Sequence, residues 1–252
     1  MLQQAEQLAT LRKRRLHVGL AHGESEIREA QKLRYRIFAE ELGARLPTRT
    51  PGIDIDLYDP YCEHLIVRDE ANGCIVGTYR ILSPQSAKRT GGYYSENEFD
   101  LTRLQLLRDG MVEIGRSCID PDYRTGGTIA LLWSGLANFM TQGGYRTLIG
   151  CASIGMADGG YLAANLYRRL GEHMAPPEYR VFPRHPLPVE QLFNGQPAEL
   201  PPLIKGYLRA GAYVGGEPAW DPDFNTADLL IMMPMARVEE RYARHFLERQ
   251  AA

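Results

Sequence analysis

The stretch from residue 62 to residue 154 limits the fold more than any other part of the chain. CEHLIVRDEANGCIVGTYRIL is two apolar runs parted by Asp69, Glu70, Asn72 and Gly73, the pattern of an antiparallel hairpin with strands over about 62–68 and 74–82. Residues 111–119 read as a further strand, and residues 127–142 place Ile129, Leu132, Trp133, Leu136 and Met140 on one helical face. YRTLIGCASI follows as a strand and GYLAANLYRRLG as a helix. Strands and helices interleaved in this way predict a mixed α/β layer architecture around one central sheet.

The flanks fit that scheme. ESEIREAQKLRYRIFAEEL sets Ile27, Ala30, Leu33 and Ile37 at helical spacing with Gly43 just past the end, which predicts an amphipathic helix carrying Arg34 and Phe38 on one side. The acidic GIDIDLYDPY reads as a loop, and FDLTRLQLL as a short helix. Later, proline-rich connections lead to a strand, ADLLIMMPM, and a closing helix, VEERYARHFLER. With no repeat or linker, residues 16–252 are expected to form a single domain behind a basic tail, residues 1–15.

Composition narrows the function. A formal charge of −2, from 29 basic and 31 acidic residues, argues against a uniformly basic nucleic-acid surface. Arg12, Lys13, Arg14 and Arg15 are a local exception, first a solvated tail and second a docking site for an acidic partner or a membrane surface. No apolar run reaches the roughly 20 residues of a membrane span, so a cytoplasmic protein is expected, with room for peripheral contact at the inner membrane face. Cys62, Cys74, Cys118 and Cys151 form no C-x-x-C pair and suggest reduced thiols rather than disulfides or zinc. Cys62 with His64 is the only close Cys/His pair, read as a packed thiol and a hydrogen-bonded imidazole before a nucleophile and its base. G-x-S-x-G and H-E-x-x-H are absent, and with them the usual marks of serine hydrolases and zinc proteases.

The strand VEIGRSCI holds charges where apolar residues are expected. Burying Glu113 without a partner costs several kcal/mol, so it must meet a cation, water or a cleft. Arg116, three residues on, would point to the opposite face of a flat strand, unless a bulge permitted by Gly115 brings both to one side. Arg124, Gly126 and Gly127 then form a turn entering a helix, which either binds phosphate on free backbone N–H groups or is an ordinary strand-to-helix turn.

Four blocks, LRYRIFAEELGA, DIDLYDPYCEHLIV, VGTYRIL and VEIGRSCIDPDYR, resemble in order those of the acyl-homoserine lactone synthases. IDPDYRTGGTIALLW and PPLIKGYLRAGAYVGGEPAWDPDFNTADLLIMMPM resemble more specifically the L-ornithine N-alpha-acyltransferases, the ornithine lipid synthases of the GNAT superfamily. That resemblance implies the GNAT acyltransferase fold, a mixed, mostly antiparallel central sheet flanked by helices and split between its fourth and fifth strands to hold a phosphopantetheine arm. It also implies transfer of a 3-hydroxy fatty acyl group from acyl carrier protein to the α-amine of L-ornithine, giving lyso-ornithine lipid, with acyl-phosphopantetheine as donor, no tightly bound cofactor and no metal. On that reading Glu113 is the general base and Arg34 and Phe38 match positions lining the site. Arg34, Arg80 or Arg116 holds the ornithine carboxylate, or equally each forms an internal salt bridge that shapes the pocket, and Asp54, Asp56 or Asp59 meets its cationic end. Backbone N–H groups near Ser117 and Cys118 serve the oxyanion, and Arg124, Gly126 and Gly127 the phosphate. Ile129 departs from the small residue usual at the turn of coenzyme A enzymes, which favours the single phosphodiester of a carrier protein; the basic residues 12–15 would then meet that acidic carrier. N-acylation of another amine, such as glycine or a homoserine derivative, is the alternative activity, and a non-catalytic acyl-carrier- or membrane-binding module the alternative class.

Overall fold

The computed structural model describes residues 15–238. Arg12, Lys13 and Arg14 lie outside the described residues, as does the expected closing helix beyond Val238. The chain begins with β1 (Leu16–Leu20) and α1 (Gly23–Tyr35), which runs into a π-helical turn (Arg36–Glu41). The expected hairpin is β2 (Glu63–Asp69) and β3 (Ile75–Leu82), followed by a short α2 (Pro84–Thr90) that starts on the Ser83 hydroxyl. FDLTRLQLL is not the expected helix: Phe99–Asp100 form a two-residue strand, β4, and Thr102–Gly110 are 3-10 turns. Next come β5 (Met111–Ile119), α3 (Gly126–Gln142), β6 (Thr147–Gly155) and α4 (Tyr161–Arg169). The last third adds β7 (Phe182–Pro183), α5 (Val189–Leu192), α6 (Pro202–Arg209), β8 (Tyr213–Val214), β9 (Ala219–Asp221) and β10 (Thr226–Pro234).

Eight strands make the main sheet in the order β1-β2-β3-β5-β6-β10-β8, with β9 also paired to β10. Its strand pairs are antiparallel except β5 with β6, which the α3 crossover makes parallel. This is the mixed, mostly antiparallel sheet expected. On one face α3 packs against β1, β2 and β3, and its Leu132, Leu136 and Met140 are buried in the main core, each contributing roughly 1.5–3 kcal/mol from burial.

The other face is divided. One apolar cluster lies under α1 and includes Ala30, Leu33, Ile37 and Cys118. A second collects Leu82, Phe99, Met111, Ile149, Leu230 and Met232. Between them the strands carry polar residues: Arg80 on β3, Glu113 and Arg116 on β5, Ser153 on β6 and Asp228 on β10.

Candidate active site

β5 and β6 pair only from Met111 to Glu113, against Thr147 to Ile149. Past Glu113 they part, and β5 keeps β3 as its partner. A Cβ on Gly150, the next β6 residue, would meet the Ile114 carbonyl oxygen at 2.5 Å, so glycine keeps the strands close at the apex of the split. A cavity of about 260 Å³ occupies the gap. Arg80, Glu113, Gly115, Arg116 and Ser117 line one side, Cys151, Ser153, Asp221 and Asp228 the other, and Phe38, Tyr58, Tyr94 and Phe224 supply aromatic walls. Phe38 lies within the π-helical turn that continues α1 and meets Phe224 edge-on at 5.7 Å between ring centroids.

A bulge sets which side chains reach the cavity. Thr78 pairs with Cys118 but Arg80 with Gly115, so Tyr79 faces two residues, Arg116 and Ser117. Arg116 takes φ 50°, a left-handed conformation that costs a non-glycine residue about 1 kcal/mol or more. The alternation of side chains is thereby reset. Val112 and Ile114 enter the main core and Glu113 the cavity; beyond the bulge Arg116 joins Glu113, and the Cys118 side chain turns under α1. Any part Cys118 plays at the split is therefore through its backbone.

Glu113 is only 4% exposed. Its Oε2 accepts from the Tyr94 N–H at 2.6 Å, and its Oε1 from the Ser95 N–H at 2.7 Å and the Ser95 hydroxyl at 2.5 Å. Burial raises its pKa, and these hydrogen bonds only partly offset that. A buried carboxylate with a raised pKa in a cleft has the properties of a general base.

The arginines are held by the acidic loop. Arg34, with 0% exposure, donates from Nε to Asp54 at 2.8 Å and from Nη2 to Asp59 at 2.8 Å. Arg80 donates to Asp56 at 2.6 Å and Asp59 at 3.0 Å, and Arg116 pairs with Asp54 at 3.2 Å and Asp56 at 3.1 Å. Burial would raise the Asp59 pKa, but Arg34 and Arg80 leave it well below the usual carboxylate range. Asp54, Asp56 and Asp59 thus sit behind Arg80 and Arg116, and neither they nor Arg34 line the cavity. His64 joins this network, its Nε2 3.4 Å from the Asp59 carbonyl, and burial lowers its pKa. Burial pushes the Cys62 and Cys118 thiols up to about 12 and Cys151 well above its ordinary value, so none of them is a thiolate nucleophile near neutral pH.

At the far end of β5, Gly126 and Gly127 open α3 with ordinary negative φ, and a Cβ on Gly126 would meet nothing within 4 Å. Neither backbone geometry nor packing demands glycine there; its effect is to leave the N-terminal amides of α3 uncovered. Arg124 is half-exposed and pairs with Glu41 at 2.6 Å. Ile129 packs against the main core.

Residues 33–134 match the family described as acetyltransferase (GNAT) domain. An L-ornithine N(alpha)-acyltransferase of Brucella abortus (strain 2308) is 36% identical over 248 residues, 92% of this chain and 88% of that protein. One from Agrobacterium fabrum (strain C58 / ATCC 33970) is 37% identical over 249 residues, 92% and 85% of the two chains. The chain belongs to the L-ornithine N(alpha)-acyltransferase family. Its fold is also that of the CoA-dependent acyl-homoserine lactone synthase BjaI, at a TM-score of 0.57 and 14% identity over 94% of this chain and 90% of that one. FeeM, an N-acyl amino acid synthase from uncultured soil microbes, matches at a TM-score of 0.52 and 9% identity, covering 89% and 94%.

As a member of the L-ornithine N(alpha)-acyltransferase family this chain is an acyltransferase. Its cavity also contains polar residues that the sequence reading passed over. Asp221 and Asp228 line it, and Glu98 is beside Asp228. The signal was available in TADLLIMM, where an aspartate interrupts an apolar strand just as Glu113 does.

Proposed function

We propose that this enzyme moves a 3-hydroxy fatty acyl group from the thioester of acyl carrier protein to the α-amine of L-ornithine, giving lyso-ornithine lipid. The supporting observation is a buried carboxylate, Glu113, at the apex of a strand split in a chain with family-level similarity along most of its length. The α-ammonium of ornithine must first lose a proton, and Glu113 takes it directly or through one water. The free nitrogen attacks the thioester carbonyl, and backbone N–H groups of β5 near Ser117 and Cys118 receive the developing oxyanion. Collapse forms the C–N bond and breaks the C–S bond, and the departing pantetheine sulfur takes up the proton.

Arg80 and Arg116 face the cavity and hold the ornithine carboxylate, while Arg34, Asp54, Asp56 and Asp59 keep them in place. Phe38 forms part of the aromatic wall. The bare start of α3 at Gly126 and Gly127, with Arg124 beside it, receives the phosphodiester of the carrier's arm. Ile129 departs from the small residue usual at this turn in coenzyme A enzymes, which favours the carrier protein over coenzyme A. The enzyme acts in the cytoplasm or at the inner membrane face, where its product's acyl chain enters the bilayer; among the described residues no helix is long and apolar enough to cross a membrane.

Thiol release from 3-hydroxymyristoyl carrier protein, with and without L-ornithine, tests this reading. Ornithine-dependent release with lyso-ornithine lipid identified by mass spectrometry is expected. Release that ignores ornithine rejects the acceptor, and equal rates with 3-hydroxymyristoyl-CoA reject the carrier.

A further inference from the structure

Across the split from Arg80 and Arg116, Glu98, Asp221 and Asp228 converge without a counter-charge. Glu98 is 9% and Asp228 4% exposed, and neither Glu98 carboxylate oxygen nor Asp228 Oδ1 has a hydrogen-bond partner. Asp221 uses Oδ1 to accept from the Asp223 and Phe224 N–H groups at 2.8 and 3.0 Å. Among the described residues none of the three makes an ion pair, whereas Asp54 and Asp59, equally buried on the other side, are each paired with arginine. Carboxylates buried in this way are strongly unfavourable unless they hold a proton or a cation arrives.

We propose that Glu98, Asp221 and Asp228 receive the side-chain ammonium of the acceptor and make the cavity selective for a diamino acid. The inference rests on the ornithine reading above. Asp221 and Asp228 line the same cavity as Glu113. Ser95 links the two places: its hydroxyl is 2.5 Å from Glu113 Oε1 and 3.4 Å from Cys151 Sγ, and the ligand atoms of Cys151, Glu98 and Asp228 lie within 4.8 Å of one another. The two nitrogens of extended ornithine are about 6 Å apart, a span that lets the α-amine meet Glu113 while the δ-ammonium meets the acidic group. Burial and the neighbouring Asp228 push Glu98 up to about 10, so the empty site keeps a proton between these two carboxyls and releases it when the ammonium enters.

The test compares L-ornithine with L-norvaline, which has the same carbon chain and no δ-amine, as acceptors for 3-hydroxymyristoyl carrier protein. The wild type is expected to favour ornithine in kcat/KM by about 30-fold or more. In Asp228→Asn and in Glu98→Gln, each checked for a native thermal transition, that ratio should fall by about ten-fold or more, chiefly through a higher KM for ornithine. Calorimetry on the wild type alone serves if a variant fails to fold: near pH 7 ornithine should release more protons than norvaline. An unchanged ratio in both folded variants, a wild type that treats the two acceptors alike, equal proton release, or activity abolished by EDTA and restored by a divalent metal would each overturn the inference. Absence of ornithine turnover in the wild type, with another amine acylated, would instead reject the underlying ornithine reading.

Discussion

The cavity has an acidic group on each side, and the two are built in opposite ways. Asp54, Asp56 and Asp59 are matched one for one by Arg34, Arg80 and Arg116, in contacts of 2.6–3.2 Å. Glu98, Asp221 and Asp228 have no such match among the described residues. A closed network fixes geometry, since each carboxylate constrains two guanidinium groups. An open one stores unfavourable energy that a bound cation can relieve. Glu113, held by amides rather than by a formal charge, stands between them and remains able to exchange a proton.

The sharpest way to break the closed side is Arg34→Ala, which leaves Asp54 and Asp59 buried with less compensation; a loss of about 3–5 kcal/mol is expected in denaturant unfolding. Glu113→Gln leaves the size of the side chain unchanged and should lower kcat by about 10²-fold or more in a thiol-release assay, with carrier-protein binding retained. The two sides also respond to pH with opposite sign. Asp59, lowered in the folded protein, gives stability that is full above its ordinary pKa of 3.8 and is lost as pH falls. Glu98, raised from 4.5 to about 10, gives stability that is full below 4.5 and is lost as pH rises toward 10. Thermal unfolding between pH 6 and pH 9 should therefore show a decline on the order of 1 kcal/mol per pH unit that Glu98→Gln reduces. The smallest effect belongs to Cys62→Ala, which removes a protonated thiol from the cavity wall and should leave turnover within about two-fold; a large loss would revive a cysteine nucleophile.

Much of this was legible in the chain. Local periodicity marks β2, β3, β5, β6, β10 and α3 within a residue or two, because each buries one face or both against a neighbour. Glu113 is conspicuous for being a carboxylate in an apolar run. Asp228 sends the same signal, but a strand ending in LLIMM reads as plain core when no lactone-synthase-like motif directs attention to it. Internal salt bridges were foreseeable for Arg34, Arg80 and Arg116, but their closure on three particular aspartates was out of reach, since it joins β3, β5, α1 and a loop across 20 to 60 residues. From sequence those aspartates look free for a substrate; in three dimensions they are already occupied. The Phe99–Gly110 segment deceived for another reason: its leucines suit a helix, while the Asp100 carboxylate accepts from the Thr102 N–H at 2.8 Å and diverts the backbone into tight turns.

The extra residue in β5 concentrates the cost of a one-residue deletion there on the cavity rather than on the register of the sheet. Because the parity of its side chains switches at Arg116, each later position inherits its inward or outward assignment from a count. Removing Arg116 or Ser117 would restore even alternation against β3 with Gly115 still opposite Arg80 and Cys118 still opposite Thr78 under α1, at the cost of the guanidinium that the bulge turns into the cavity. A deletion scan across 111–119 should therefore find that loss of Arg116 or Ser117 abolishes turnover but lowers thermal stability less than loss of the core residues Val112 or Ile114, whereas the Glu70–Gly73 turn of the neighbouring hairpin, exposed throughout, can absorb a deletion without either cost.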